Sequence, residues 1–243
     1  TIALAAGHSL LVSPHIGDLS AVAAVKAQHE MIETLCSLYA IQPEAVACDL
    51  HPDYQSTRTA EKLRLPLAGV QHHEAHARSC MAEHGLRGKA LAIIWDGTGY
   101  GTDSTIWGGE FLQIEPGGFQ RVAHFLPFPL PGGERAIREP RRAALGVCYA
   151  VDGDDCFADP HVIAGNFSAA ELKILRQMLA SRANCPLTSS VGRLFDAVAS
   201  LTGLCQVSDF EGEAAMALQH AAMAAMVDNT VDPFTVLPLD ENG

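Results

Sequence analysis

Hydrophobic and polar positions change period several times along the chain, and each change predicts an element. "TIALAA" and "SLLVS" are short apolar runs flanking Gly7 and read as paired strands. "HIGDLS" leads into "AVAAVKAQHEMIETLCSLYA", where Val22, Val25, His29, Ile32, Leu35 and Tyr39 recur at helical spacing and Ser20 is the expected N-cap. After Pro43, "AVACDL" reads as a strand and "PDYQSTRTAEKL" as a helix. "LPLAGV" is a strand again, "HEAHARSCMAEHG" a helix stopped by Gly85, and "ALAIIWD" a buried strand. Strands alternating with helices predict an α/β fold with parallel crossovers.

The pattern then shifts. "IIWDGTGYGTDSTIWGGEFLQI" sets two apolar runs around a Gly-dense turn, a hairpin signal. "FPLPGGERAIREP" is too rich in Pro and Gly for a regular element and predicts a lobe boundary between about residues 115 and 140. Beyond it the periodicity predicts helices over roughly 139–150, 168–182, 190–203 and 209–227. The C-terminal "DPFTVLPLDENG" offers no further strand–helix unit.

Composition narrows the class. The chain has 243 residues, 48% hydrophobic and 18% charged, enough to bury one large core or two small ones. No apolar run approaches the roughly 18 residues of a membrane span, and neither an initiator Met nor a signal-like segment opens the chain; no membrane partner is expected. The formal charge of -12 repels phosphate backbones and argues against DNA or RNA as a partner, although backbone N–H groups still suit a small anion. Seven cysteines, an odd number with no C-x-x-C pair, read as buried thiols in a reducing cytosol.

The candidate chemistry begins at "AGVQHHEAHARSC". His72 and His76, four apart, share one helix face one turn apart, which lets two imidazoles reach one divalent ion; two histidines decorating a helix are the plain alternative. His73 lies about 100° round the helix and reads as a neighbour of the site or a surface residue. A metalloprotease H-E-x-x-H is excluded, because position 77 is Ala. Asp96, ending a strand about one strand–helix unit on, offers a hard oxygen ligand to the same ion. In "DGTGYGTD", Gly97, Gly99 and Gly101 let successive N–H groups curl round a phosphate oxygen, unless this is an ordinary glycine-rich hairpin.

Three weaker stretches remain. "HPDYQSTR" suggests Asp53 as a helix cap with His51 and Tyr54 at a cleft, or a structural turn. "GGERAIREPRR" clusters Arg135, Arg138, Arg141 and Arg142, suited either to a bound anion or to a solvated helix start. Asp196, four after Gly192 on an amphipathic helix, reads on its own as a surface residue.

Taken in order, "DLHPDYQSTR", "VQHHEAH", "DGTGYGTDSTIWGGEFL", "PLPGGERAIREP" and "CPLTSSVGRLFDAVASLTGL" closely resemble the C-terminal transferase region of the HypF carbamoyltransferases, which mature nickel–iron hydrogenases. The resemblance spans essentially the whole chain. It implies an actin-like ATPase (ASKHA) fold, with a first lobe over 1–118 carrying a mixed sheet and the metal/phosphate hairpin. Residues 119–243 would form a linker and a partial, largely helical second lobe. It implies His72, His76 and Asp96 as ligands of a divalent metal (Zn, Fe, Mn or Mg). It further implies Asp96 and Asp103 as catalytic residues, and Gly97, Thr98, Gly99 and Gly101 as a phosphate-binding hairpin. Gly192 and Asp196 would approach the ribose of ATP, AMP or carbamoyl-adenylate.

The reaction so implied passes a carbamoyl group from carbamoyl-adenylate to the C-terminal cysteine of HypE, on the way to the cyanide ligands of the hydrogenase iron. The other domains of a full-length HypF, a second Gly-rich phosphate motif and a late Asp are missing from the sequence, so the chain reads as a cytoplasmic fragment, inactive alone. Two alternatives stand beside this reading. One is a tRNA threonylcarbamoyl or antibiotic O-carbamoyltransferase of the same fold; the other is a non-catalytic metal-binding module that docks on HypE.

Overall fold

The structure, a computed structural model, describes residues 1–158 and 166–227. The chain divides into two compact units: residues 1–92, 99–104 and 112–120 form the first, and 93–98, 105–111 and the described residues from 121 onward form the second. The expectation for "DPFTVLPLDENG" lies outside the described residues.

In the first unit β1 (Ala3–Ala6) and β2 (Ser9–Val12) pair antiparallel across Gly7, as expected. Helix α1 (Val22–Leu38) follows. Strands β3 (Val46–Asp49) and β4 (Leu67–Val70) run parallel, joined through α2 (Gln55–Lys62), the crossover that the alternating pattern predicts. Helix α3 (His72–Glu83) leaves β4 immediately and stops at Gly85, whose φ of 63° supplies the left-handed C-terminal position.

Two expected caps are corrected. Helix α1 starts from Ala21, one residue past Ser20, and alanine has no side-chain acceptor to cap it; the Ser20 amide donates to Asp18 Oδ1 at 2.8 Å. Helix α2 starts from Tyr54, and Asp53 instead pairs with Arg58 at 3.2 Å.

Strand β5 (Ala90–Tyr100) runs four residues past Asp96, so Gly97 and Gly99 lie within the strand and the turn to β6 (Ile106–Glu115) begins only at Gly101. The strand is also buried on one face only: Ile94 is 8% exposed while Leu91, Ile93 and Trp95 are 63, 60 and 62% exposed. Alternation along a pleated strand accounts for that difference.

Strand β7 (Gly118–His124) precedes the Pro- and Gly-rich stretch that starts at Phe128, and that stretch, expected to lack elements, contains two: β8 (Phe128–Pro129) and the short α4 (Glu134–Arg138). Strands β5, β6, β9 (Leu187–Thr188) and β8 follow one another in a sheet, with β7 on β6. Ile106 pairs parallel with Thr188, and Phe128 antiparallel with it.

The predicted helices of the second unit are present as α5 (Pro140–Asp152), α6 (Ala169–Ser181), α7 (Val191–Leu201) and α8 (Glu213–Val227). Helix α5 packs on α7, and α7 on α8. Small residues permit this close packing: Ala136, Ala143, Ala144 and Ala197 are buried with Phe128 and Leu130. Leu145, Phe167, Leu175 and Leu179 build a second cluster with Cys156 and Cys185. Cys156, Cys185 and Cys205 are the buried thiols, whereas Cys80 is exposed, so burial does not hold for the whole set. No described helix is long and apolar enough to cross a membrane.

Candidate functional site

In the first unit the site is built from the start of α3. Gln71, extended and 2% exposed, caps the helix by accepting the Glu74 amide on Oε1 at 2.9 Å. Its amide nitrogen donates to the Tyr100 carbonyl at 3.1 Å and lies 3.2 Å from His73 Nδ1. With a donor facing Nδ1, the His73 proton sits on Nε2.

His73 is fully buried, so the surface reading for it is corrected. Gly99 makes the room: a Cβ there would lie 2.3 Å from His73 Cε1 and 2.9 Å from His72 Cδ2. The missing side chain at Gly99 is therefore occupied by imidazole.

His72 and His76 project from one face of α3, as their spacing requires. Their Nε2 atoms are 3.2 Å apart and their rings stand nearly perpendicular, at 78°. Two imidazole nitrogens turned on one point fit a shared cation or proton, the first mark of a ligand pair.

Behind His72 lies Asp49, the last residue of β3, with Oδ2 2.8 Å from His72 Nδ1. Its Oδ1 accepts the His51 amide at 2.8 Å. The His51 ring stacks on Tyr54 at 4.2 Å and tilts against Tyr100 at 5.0 Å. Sequence reading passed over Asp49 and Gln71. The available signals were the position of Asp49 at a parallel strand's C-terminal end and the Gln71-to-Glu74 capping spacing.

In the second unit Asp96 Oδ1 accepts the amide of Gly97 at 2.7 Å. Ser190, N-cap of α7, accepts the Arg193 amide at 3.1 Å. Its hydroxyl lies 2.8 Å from the Asp96 carbonyl and 2.6 Å from that of Gly97. A Cβ on Gly192 would fall 2.8 Å from Gly97 Cα, so this glycine is what lets α7 reach β5.

Asp196 is 5% exposed, correcting its reading as a surface residue. Burial pushes its carboxyl above the ordinary value, and the Arg193 guanidinium opposes that shift. Arg193 Nη1 lies 2.7 Å from Asp196 Oδ2, at an angle that serves charge attraction more than hydrogen bonding. Of the other expected residues, Thr98 is half-buried, Gly101 buried, and Asp103 exposed on the β5–β6 loop.

The second unit also holds a buried ion pair that sequence reading passed over. Glu110, fully buried, accepts from Arg121 Nε at 2.5 Å and from Ser189 and the Gly108 amide. Arg121 lies over the Trp107 ring at 4.2 Å. Burial pushes the Glu110 carboxyl up, but the bonds from Arg121, Ser189 and Gly108 outweigh it and hold the group ionised.

The arginine cluster has an internal anion. Glu139 pairs with Arg135, with Arg141 at 2.7 Å and with Arg142 at 2.8 Å. Burial opposes its ionisation, yet these guanidiniums draw its pKa from 4.5 to about 2. The bound-anion reading is corrected for these three arginines, while Arg138 is exposed.

The fold defines the class first. Over 89% of this chain it superposes with a TM-score of 0.84 on the crystal structure of full-length HypF in its phosphate- and nucleotide-bound form, at 42% identity. It matches T. kodakarensis HypF at 0.80 and 32% identity over 91% of the chain. This is the α/β architecture of the ASKHA type.

Residues 1–83 match the HypF Kae1-like domain, and 92–237 the second subdomain of the carbamoyltransferase Kae1-like domain. The carbamoyltransferase HypF of Synechocystis sp. is 44% identical over 94% of the chain, and that of Rhizobium leguminosarum bv. viciae 42% over 92%. The chain belongs to the HypF carbamoyltransferase family. It spans 31% and 29% of the length of those two relatives.

Proposed function

We propose that this chain is the carbamoyl-transfer segment of a HypF-type carbamoyltransferase. It takes carbamoyl-adenylate formed by other domains of a whole cytoplasmic protein and delivers the carbamoyl group to the C-terminal cysteine thiolate of HypE. A C–S bond forms, the C–O bond to the adenylate phosphate breaks, and AMP leaves with the electron pair. Dehydration of the thiocarboxamide then leads to the cyanide ligands of nickel–iron hydrogenase.

The observation that carries this reading is the His72–His76 pair, with its Nε2 atoms 3.2 Å apart in a chain of this family. Facing imidazole nitrogens fit a divalent ion, and Asp96, three positions before Gly99 on β5, adds the carboxylate. Mixed nitrogen and oxygen donors suit Zn, Fe, Mn or Mg-assisted sites. When bound, the ion supplies Lewis-acid charge stabilisation to the phosphates and the carbonyl.

The chain's own groups do the rest. Gly97, Thr98, Gly99 and Gly101 present backbone to the phosphates, with Asp103 on the adjoining loop. Gly192 and Asp196 on α7 are the residues taken to approach the ribose. HypE brings the nucleophile, so none of the chain's cysteines has to react. A nucleotide-bound HypF among the structural relatives supports the nucleotide part of the reading.

The test is carbamoyl transfer from carbamoyl-adenylate to HypE by the full-length protein, with metal content measured alongside. His72→Ala combined with His76→Ala is expected to lose both. Unchanged metal content and wild-type transfer in that variant would overturn the assignment.

A further inference from the structure

We infer that Asp49 is a positioning residue for this centre: its carboxylate holds His72 in the tautomer that turns an unprotonated Nε2 toward His76. The inference rests on the metal-binding reading above and goes beyond it, because Asp49 is not among the ligands that reading names.

The geometry determines the tautomer. An ionised carboxylate only accepts hydrogen bonds, and a neutral imidazole carries a single N–H. Asp49 Oδ2 lies 2.8 Å from His72 Nδ1, so that nitrogen bears the proton and Nε2 keeps its lone pair. That lone pair faces His76 Nε2 across 3.2 Å.

Asp49 is itself fixed. Its Oδ1 accepts the His51 amide at 2.8 Å, and its carbonyl accepts the Thr57 hydroxyl at 3.2 Å. The two partnered side chains are only 17% and 29% exposed, so water competes weakly for the bond. A carboxylate behind a ligating histidine orients the ring and raises its basicity, and loss of such a partner typically costs roughly 10- to 100-fold in metal affinity.

The discriminating variant is Asp49→Asn, which keeps the size and the bond to His51. With its oxygen on the His51 amide, the asparagine turns an NH2 donor toward His72 Nδ1. That donor drives the proton to Nε2 and removes the ligand lone pair.

Two measurements on the full-length protein test this. Zn2+ titration by calorimetry is expected to show a roughly 10- to 100-fold weaker affinity for Asp49→Asn, with Asp49→Glu recovering part of it. Nitrogen NMR of 15N-histidine-labelled, metal-free protein is expected to show His72 protonated at Nδ1. Wild-type Zn2+ affinity in Asp49→Asn, or His72 protonated at Nε2 in the metal-free wild type, would overturn the inference. The NMR result stands even if Asp49→Asn fails to fold. If the His72→Ala, His76→Ala variant binds Zn2+ normally, the metal reading falls on its own, whatever the tautomer.

Discussion

Ser190 places its hydroxyl 2.8 Å from the carbonyl of Asp96 while accepting the Arg193 amide, so one side chain both starts helix α7 and ties it to strand β5. Ser190→Ala removes the cap and the tie together. The expected loss is about 1–2 kcal/mol, read by chemical denaturation. An unchanged midpoint would show that the tie contributes nothing to stability.

Gly99→Ala drives a methyl group into the His73 and His72 rings, at 2.3 and 2.9 Å from their nearest atoms. The histidines have to move, and divalent-metal affinity is expected to fall while circular dichroism stays native. Calorimetric titration with Zn2+ decides it, and wild-type affinity would sink the idea that this space orients the pair.

Glu110 and Arg121 form a buried pair in which each relieves the other's desolvation. Glu110→Gln alone is expected to cost about 3–5 kcal/mol, because Arg121 is left uncompensated under low solvent access. Changing both to apolar residues should cost less than the two single variants summed, and a double-mutant cycle measures that coupling.

Glu139 makes stability pH-dependent. Its folded pKa, about 2, lies below the ordinary 4.5, so its contribution is fully present above pH 4.5 and is lost as pH falls toward 2. A shift of that size corresponds to about 3 kcal/mol. Urea denaturation of the wild type should weaken through this window, and Glu139→Gln should flatten that slope. Equal slopes in both proteins would contradict the assignment.

The crossover β3–α2–β4, the helix carrying His72 and His76, and the helices of the second unit were legible because each is written in a local period. Burial of one face of β5 alone was not, since six apolar residues in a row, Ala90 to Trp95, carry no record of which face is covered. The elements inside the Pro- and Gly-rich stretch were hidden for a different reason. β8 pairs through only two residues, Phe128 and Pro129, and its partners are near Thr188, far along the chain.

By itself the sequence determined that His72 and His76 share a helix face, because four-residue spacing allows no other outcome once a helix forms. It determined equally that an apolar strand and then a glycine-rich stretch follow that helix, and the chain's motifs carried its family. Tertiary structure alone decided the rest. It set Asp49 behind His72 across 23 positions and Ser190 on Asp96 across 94. Those relationships depend on strand ends and helix starts meeting in space, and hydrogen bonds of under 3 Å are decided by such meetings and not by spacing along the chain.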